Sequence, residues 1–133
     1  MDDFLKHPRV QYIPLLVHKP LEGDWQNPFE NNSPRLFIFQ NAEELSAKLS
    51  HYNLPEVNPA PEDANNYLGV LALNFQVKRG YFRFLTIKFV GIKQENYYQV
   101  FYVTKKYFPQ RTLHFTLYTE KGEKVAWENI DVK

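Results

Sequence analysis

The sequence predicts an α+β, mostly β domain: an antiparallel sheet or sandwich of about six or seven strands with one packed helix. Three observations lead there. From Tyr67 onward, runs of six to twelve residues rich in Val, Ile, Phe and Tyr follow one another, separated by short turn-forming stretches. One segment alone, NAEELSAKLSHY at 41–52, shifts to a helical period. At 133 residues, 44% hydrophobic and 17% aromatic, the chain can bury a core without crosslinks and fits one domain, 1–133. Within it, residues 1–34 read as an extended, loop-rich part and 35–133 as the core unit.

Taken in order, VQYIPLLV (10–17) looks extended, with Pro14 barring it from the middle of a sheet. HKPLEGDWQNPFENNSP (18–34) is dense in Pro, Gly, Asn and Ser and reads as a long loop; its Trp25 and Phe29 are expected to pin it to the core. RLFIFQ (35–40) is a short apolar strand. The helix is expected over 42–51, with Asn41 as its cap, Glu44 at the capping-box position and Ala42, Leu45 and Leu49 on one face. NLPEVNPAPEDANN (53–66) is a surface loop.

A β-meander is then expected. LGVLALNFQV (68–77) sets Leu71, Leu73, Phe75 and Val77 on one face; 81–92 sets Leu85, Ile87 and Phe89 against Phe82, Phe84 and Val90. YYQVFYVT (97–104) and TLHFTLYT (112–119) follow, the latter with Leu113, Phe115 and Leu117 inward and His114 facing solvent. A hairpin turn at Gly122 leads into VAWENIDV (125–132). The expected core is Leu36, Ile38, Leu45, Leu49, Leu71, Leu73, Phe75, Leu85, Ile87, Phe89, Leu113, Phe115, Leu117 and Trp127.

Composition excludes several kinds of chemistry. Without cysteine there is no disulfide, thiolate metal site or cysteine nucleophile. His7, His18, His51 and His114 show no close metal-ligand spacing, and no G-x-S-x-G, H-E-x-x-H or glycine-rich phosphate loop occurs. Neighbouring carboxylates such as Glu43/Glu44 and Glu62/Asp63 read as solvated charge on a helix start and a loop. No catalytic residue, metal or cofactor is therefore expected, and the protein reads as a non-enzyme. No run of 18 apolar residues exists to form a membrane-spanning helix.

The net charge of +1 conceals a strong segregation. Residues 1–75 carry five basic and ten acidic side chains, whereas 76–111 carry eight basic ones (Lys78, Arg79, Arg83, Lys88, Lys93, Lys105, Lys106 and Arg111) against Glu95 alone. Within this ribbon, VKRGYFRF (77–84) opens like the aromatic signature of RNA-recognition domains. The match stops at Phe82 and Arg83, where that signature needs a small residue and Phe, and no helix follows the strand. What remains is a basic turn, Lys78-Arg79-Gly80, that delivers Tyr81 into a strand. A sheet presenting such lysines, arginines and tyrosines is also suited to stacking bases and neutralising phosphates, so a nucleic-acid-binding β-domain using ribbon 78–111 is the alternative reading.

Three stretches, LFIFQNAEEL (36–45), YLGVLALNFQVKRGYFRFLTIKFVGI (67–92) and YYQVFYVTK (97–105), occur in an order that resembles the PrcB C-terminal-type domain. This is a small module of bacterial exported proteins named after a protease-complex subunit. Of that family's Thr-Gly-Gly-Tyr turn only Gly80 and Tyr81 are present, with Lys78 and Arg79 in place of Thr-Gly. The resemblance implies a noncatalytic module that binds or stabilises a protease or an envelope protein. It also implies export or a cell-envelope location if a leader has been removed; otherwise the cytoplasm is expected. The candidate partner-binding residues are Lys78, Arg79, Gly80, Tyr81, Arg83, Tyr97, Tyr98 and Tyr102.

Overall fold

The computed structural model describes residues 16–21, 25–56, 62–84, 87–92, 96–105 and 111–133. They form eight strands, one α-helix and a 3-10 turn: β1 (Leu16–Pro20), β2 (Arg35–Phe39), α1 (Ala42–His51), the turn Ala64–Asn66, β3 (Tyr67–Asn74), β4 (Gly80–Phe84), β5 (Ile87–Ile92), β6 (Tyr97–Thr104), β7 (Thr112–Thr119) and β8 (Lys124–Asp131). The strands make two four-stranded sheets in the orders β1-β6-β3-β2 and β5-β4-β7-β8, every pairing antiparallel. We call them sheet I and sheet II. The expected mostly β, antiparallel architecture with one packed helix is what the chain adopts.

The strands do not form a meander within one sheet. β3 lies in sheet I, the β4–β5 hairpin in sheet II, β6 back in sheet I beside β3, and the β7–β8 hairpin in sheet II beside β4. Residues 81–92 are accordingly two paired strands rather than one: Phe82 and Phe89, expected on opposite faces, are register partners. Leu85 lies outside the described residues, as do the side chains of Ile87 and Phe89. Of the expected extended stretch 10–17, residues 10–15 lie outside the described residues, and the strand continues past it through Lys19 to Pro20 at the edge of sheet I, where a loop was expected. An edge position tolerates Pro20, since a missing N–H costs little where one side of the strand has no neighbour.

Alternation along β3 explains the layering. Leu68, Val70 and Ala72 meet Phe82, Phe84, Phe101, Val103, Leu113, Phe115 and Leu117 between the sheets. Leu71, Leu73 and Phe75 point the other way, with Tyr98, Val100 and Tyr102, onto Ala42, Leu45, Leu49 and Leu54. Sheet I is thus buried on both faces, which is why β3 reads as an almost unbroken apolar run instead of a clean alternation. Gly69 sits where α1 crosses β3: a Cβ there would lie 2.7 Å from Leu45 Cβ.

The helix starts as its sequence requires. Asn41 Oδ1 accepts from Glu44 N at 2.9 Å, while the Glu44 carboxylate accepts from Gln40 N at 3.1 Å, one residue before the usual capping-box partner. Trp25 and Phe29 do pin their loop. Trp25 Nε1 donates to Tyr52 O at 2.7 Å and its ring stacks on Phe75, while Phe29 packs against Phe37 and Tyr52. Trp127 departs from expectation: it is 57% exposed, because its strand partner is Thr116 on the outer face of sheet II. No helix among the described residues is long and apolar enough to cross a membrane.

Candidate functional site

The aromatic ribbon is divided by the fold. Tyr97, Tyr98 and Tyr102 belong to β6, an inner strand of sheet I covered on both faces. Tyr98 and Tyr102 are 2% and 3% exposed in the layer beneath α1, and the Tyr98 hydroxyl donates to Pro55 O at 2.8 Å, holding down the chain that leaves the helix. Buried side chains offer nothing for a partner to grip, so these two serve the core. Tyr97 lies at the start of β6 on the opposite, inter-sheet side and is half-buried.

Burial raises the Tyr102 hydroxyl above its usual pKa near 10, and the Glu56 carboxylate adds to the rise. A phenol that ionises less readily when folded contributes stability that is complete below the unfolded value and is lost as pH climbs above it. Stability followed by denaturant unfolding is therefore expected to fall above about pH 10, and Tyr102→Phe to flatten that alkaline decline. An unchanged alkaline limb in the variant would assign the loss to other groups.

The remaining candidates converge on sheet II. Its inner face supplies the core, while the outer face is built from successive rungs across β4, β7 and β8. One rung holds Tyr81, Tyr118 and Lys124, the next Arg83, Thr116 and Trp127, then His114 with Asn129, and Thr112 with Asp131. Tyr81 and Tyr118 stack at 5.0 Å with their planes 15° apart. Register shifts fall between Gly80 and Tyr81 on the β5 side and between Leu117 and Tyr118 on the β8 side. The tyrosine pair is therefore bracketed by bulges, which twist strands and re-aim side chains.

Lys78, Arg79 and Arg83 are exposed, and Gly80 is buried at the head of β4. The turn bearing Lys78 and Arg79 is tied to the β7–β8 hairpin, since Glu120 N donates to Arg79 O at 3.0 Å. The hairpin turn itself uses Gly122 at φ +89°, next to the Tyr81 hydroxyl. The backbone of the hairpin turn thus lies beside that of the basic turn. Of the rest of the basic ribbon, the side chains of Lys88, Lys93 and Lys106 lie outside the described residues. Lys105 is half-buried; its burial lowers its pKa, against which the Glu44 carboxylate acts. At that point the basic ribbon meets the acidic half of the chain.

Below the tyrosines the face becomes a polar ladder. His114 Nδ1 is hydrogen-bonded to Asn129 Oδ1, and His114 Nε2 to Thr116 Oγ1 at 2.9 Å. Thr112 Oγ1 donates to Asp131 Oδ1 at 2.6 Å. His114 is thereby engaged through both ring nitrogens, across to β8 at Asn129 and along its own strand at Thr116. Among the described residues no three His, Asp or Glu side chains gather in a metal-binding group.

Trp127 is the exposed large hydrophobic among the described residues, with Lys124 Nζ 4.6 Å from its ring centroid. It also borders a shallow cleft of about 240 Å³ between the β2 and β8 edges, lined by Pro34, Arg35, Leu36, Phe37 and Ala126. The sequence held the signal for this position: Trp127 shares strand parity with Asn129 and Asp131, whereas Ala126 shares it with Ile130 and the buried Val132. The chain matches no protein-family model, no curated protein and no solved structure.

Proposed function

We propose that the protein is a noncatalytic protein-binding module that uses the outer face of sheet II. The observation that carries this reading is Trp127, a large aromatic 57% exposed on a sheet face whose neighbours are the Tyr81–Tyr118 stack and Arg83. Aromatic and arginine side chains are the residues that most often dominate protein interfaces: the aromatics bury much area at little entropic cost, and arginine offers a planar fork of hydrogen-bond donors. Lys78 and Arg79 extend the same side of the domain and are suited to the rim, where charge steers association more than it adds affinity. The resemblance to the PrcB C-terminal-type domain favours a protease or envelope protein as partner.

Nucleic-acid binding remains the competing proposal, drawn from the basic and aromatic character of the same face. Asp131 at the far rung weighs against it, since a phosphate backbone seeks a sustained positive track. Affinity capture with the whole chain compares the two readings. A protein partner bound by the parent is expected to be lost with Trp127→Ala and with Arg83→Ala but retained with Lys48→Ala, a change on α1. A partner held equally by all of these contradicts the proposed face, and oligonucleotide binding that weakens steeply with salt would support the competing reading instead.

A further inference from the structure

On the outer face of sheet II, the two rungs nearest the β7–β8 hairpin hold Tyr81, Tyr118 and Lys124, then Arg83, Thr116 and Trp127. β5 continues the second rung, with Lys88 as the register partner of Arg83. No Asp or Glu occupies either rung. Glu120 and Glu123 belong to the connection that precedes β8 and make no ion pair among the described residues. Asp131 lies at the far end of the face, where it accepts from Thr112 Oγ1. Charge is thus separated along the face, with the cations at one end.

Thr116 shows that these side chains form one continuous surface. It points outward, since Phe115 and Leu117 face the core, yet it is only 2% exposed. Its outward neighbours must therefore cover it: Arg83 and Trp127 on either side along the rung, and His114 and Tyr118 along β7. Adjacent strands lie about 4.8 Å apart, so Arg83 and Trp127 start from backbones about 10 Å apart, a gap that two long side chains close from both sides. Lys124 Nζ, 4.6 Å from the Trp127 ring centroid, joins the same patch. Neither Arg83 nor Lys124 is paired with a carboxylate among the described residues. The patch is an exposed indole flanked by two cations whose charge the domain does not itself neutralise.

We propose that the partner of this face presents a short acidic segment, its carboxylates engaging Arg83 and Lys124 and an adjacent aromatic or apolar side chain packing on Trp127. This rests on the reading of sheet II as a protein-contact face and names the chemistry of what it contacts. Arginine offers a carboxylate a planar fork of donors, and lysine a compact charge that turns to suit. Exposed ion pairs alone contribute little, so Trp127 supplies the buried area that makes the contact hold. Confinement of the cations to one end fits a short acidic peptide better than nucleic acid, whose phosphates would run on past His114 and Asn129 to Asp131.

The chain has two tryptophans, so the indole N–H signals of Trp127 and Trp25 report the patch and an internal control in one spectrum. The whole chain is titrated at low salt with a random copolymer of glutamate and tyrosine. Parallel titrations use a copolymer of lysine and tyrosine and a single-stranded oligonucleotide. The acidic copolymer is expected to shift Trp127 and leave Trp25, whose indole is held by Tyr52 O, in place. Arg83→Gln/Lys124→Gln should weaken that binding about tenfold, with the unmoved Trp25 signal showing that the variant is folded. An unshifted Trp127, an equal response to the lysine copolymer, tighter binding of the oligonucleotide or undiminished affinity in the double variant overturns the proposal. If the acidic copolymer fails while a captured protein is still lost with Trp127→Ala, the contact face stands and the acidic partner alone is refuted.

Discussion

Phe115→Ala is expected to cost about 3–5 kcal/mol, the range for removing a large aromatic from a packed core. Phe115 is fully buried between the sheets, stacked on Phe84 at 4.5 Å and tilted against Phe101 at 6.5 Å. It joins the two halves of the fold: Phe84 and Phe115 come from sheet II and Phe101 from sheet I. Alanine would leave a void bounded by strands that are hydrogen-bonded to their neighbours and have little freedom to collapse. Since domains of this size are stable by about 5–15 kcal/mol, about a fifth or more of the total is at stake. Urea unfolding should show a much lower midpoint at an unchanged m-value. A loss below about 1 kcal/mol would mean that the sheets do not meet at Phe115 as described.

Gly69→Ala is expected to be the most damaging single-methyl addition in the layer between α1 and sheet I. The new Cβ would stand 2.7 Å from Leu45 Cβ and 2.8 Å from Leu45 Cδ2. A rotamer change can withdraw Cδ2, but Leu45 Cβ moves only with the helix backbone, so α1 must lift from β3. Leu45 and Leu49 would then lose contact with Leu71, Leu73 and Tyr102. Overpacking of this kind costs about 1–3 kcal/mol, and Gly69→Val should exceed Gly69→Ala. Thermal unfolding of both variants checks the order; a neutral Gly69→Ala would place the helix farther from the sheet.

These residues also show where sequence reasoning works. The helix was legible because its signals are local: Asn41, Glu44 and the spacing of Ala42, Leu45 and Leu49 all lie within nine residues. β7 was legible because one of its faces is wet, so Leu113, Phe115 and Leu117 alternate with Thr112 and His114. The assignment of strands to two sheets was not legible, because alternation tells which residues share a face and nothing about which sheet the strand joins. The break between β4 and β5 was hidden for a related reason. Residues 81–92 are apolar on both parities and carry no Gly or Pro between Phe84 and Ile87.

The candidate face was half legible. Tyr81 and Arg83 were read from the sequence, whereas Tyr118 and Trp127 complete the face only when β7 and β8 fold beside β4. Tyr98 and Tyr102 looked equivalent to Tyr81 because a two-sided buried strand and an aromatic surface strand have similar compositions. Hydrophobicity alone placed Trp127 in the core, although the parity it shares with Asn129 and Asp131 turns it outward.

The proposal that sheet II presents the contact face is tested most directly by site-specific photo-crosslinking in the native cell. A photoreactive residue is placed at position 127 in one version of the chain, at 81 in a second and at 48 on α1 in a third. A discrete protein adduct from positions 127 and 81, absent from position 48, is the predicted result. Adducts from position 48 alone would contradict it.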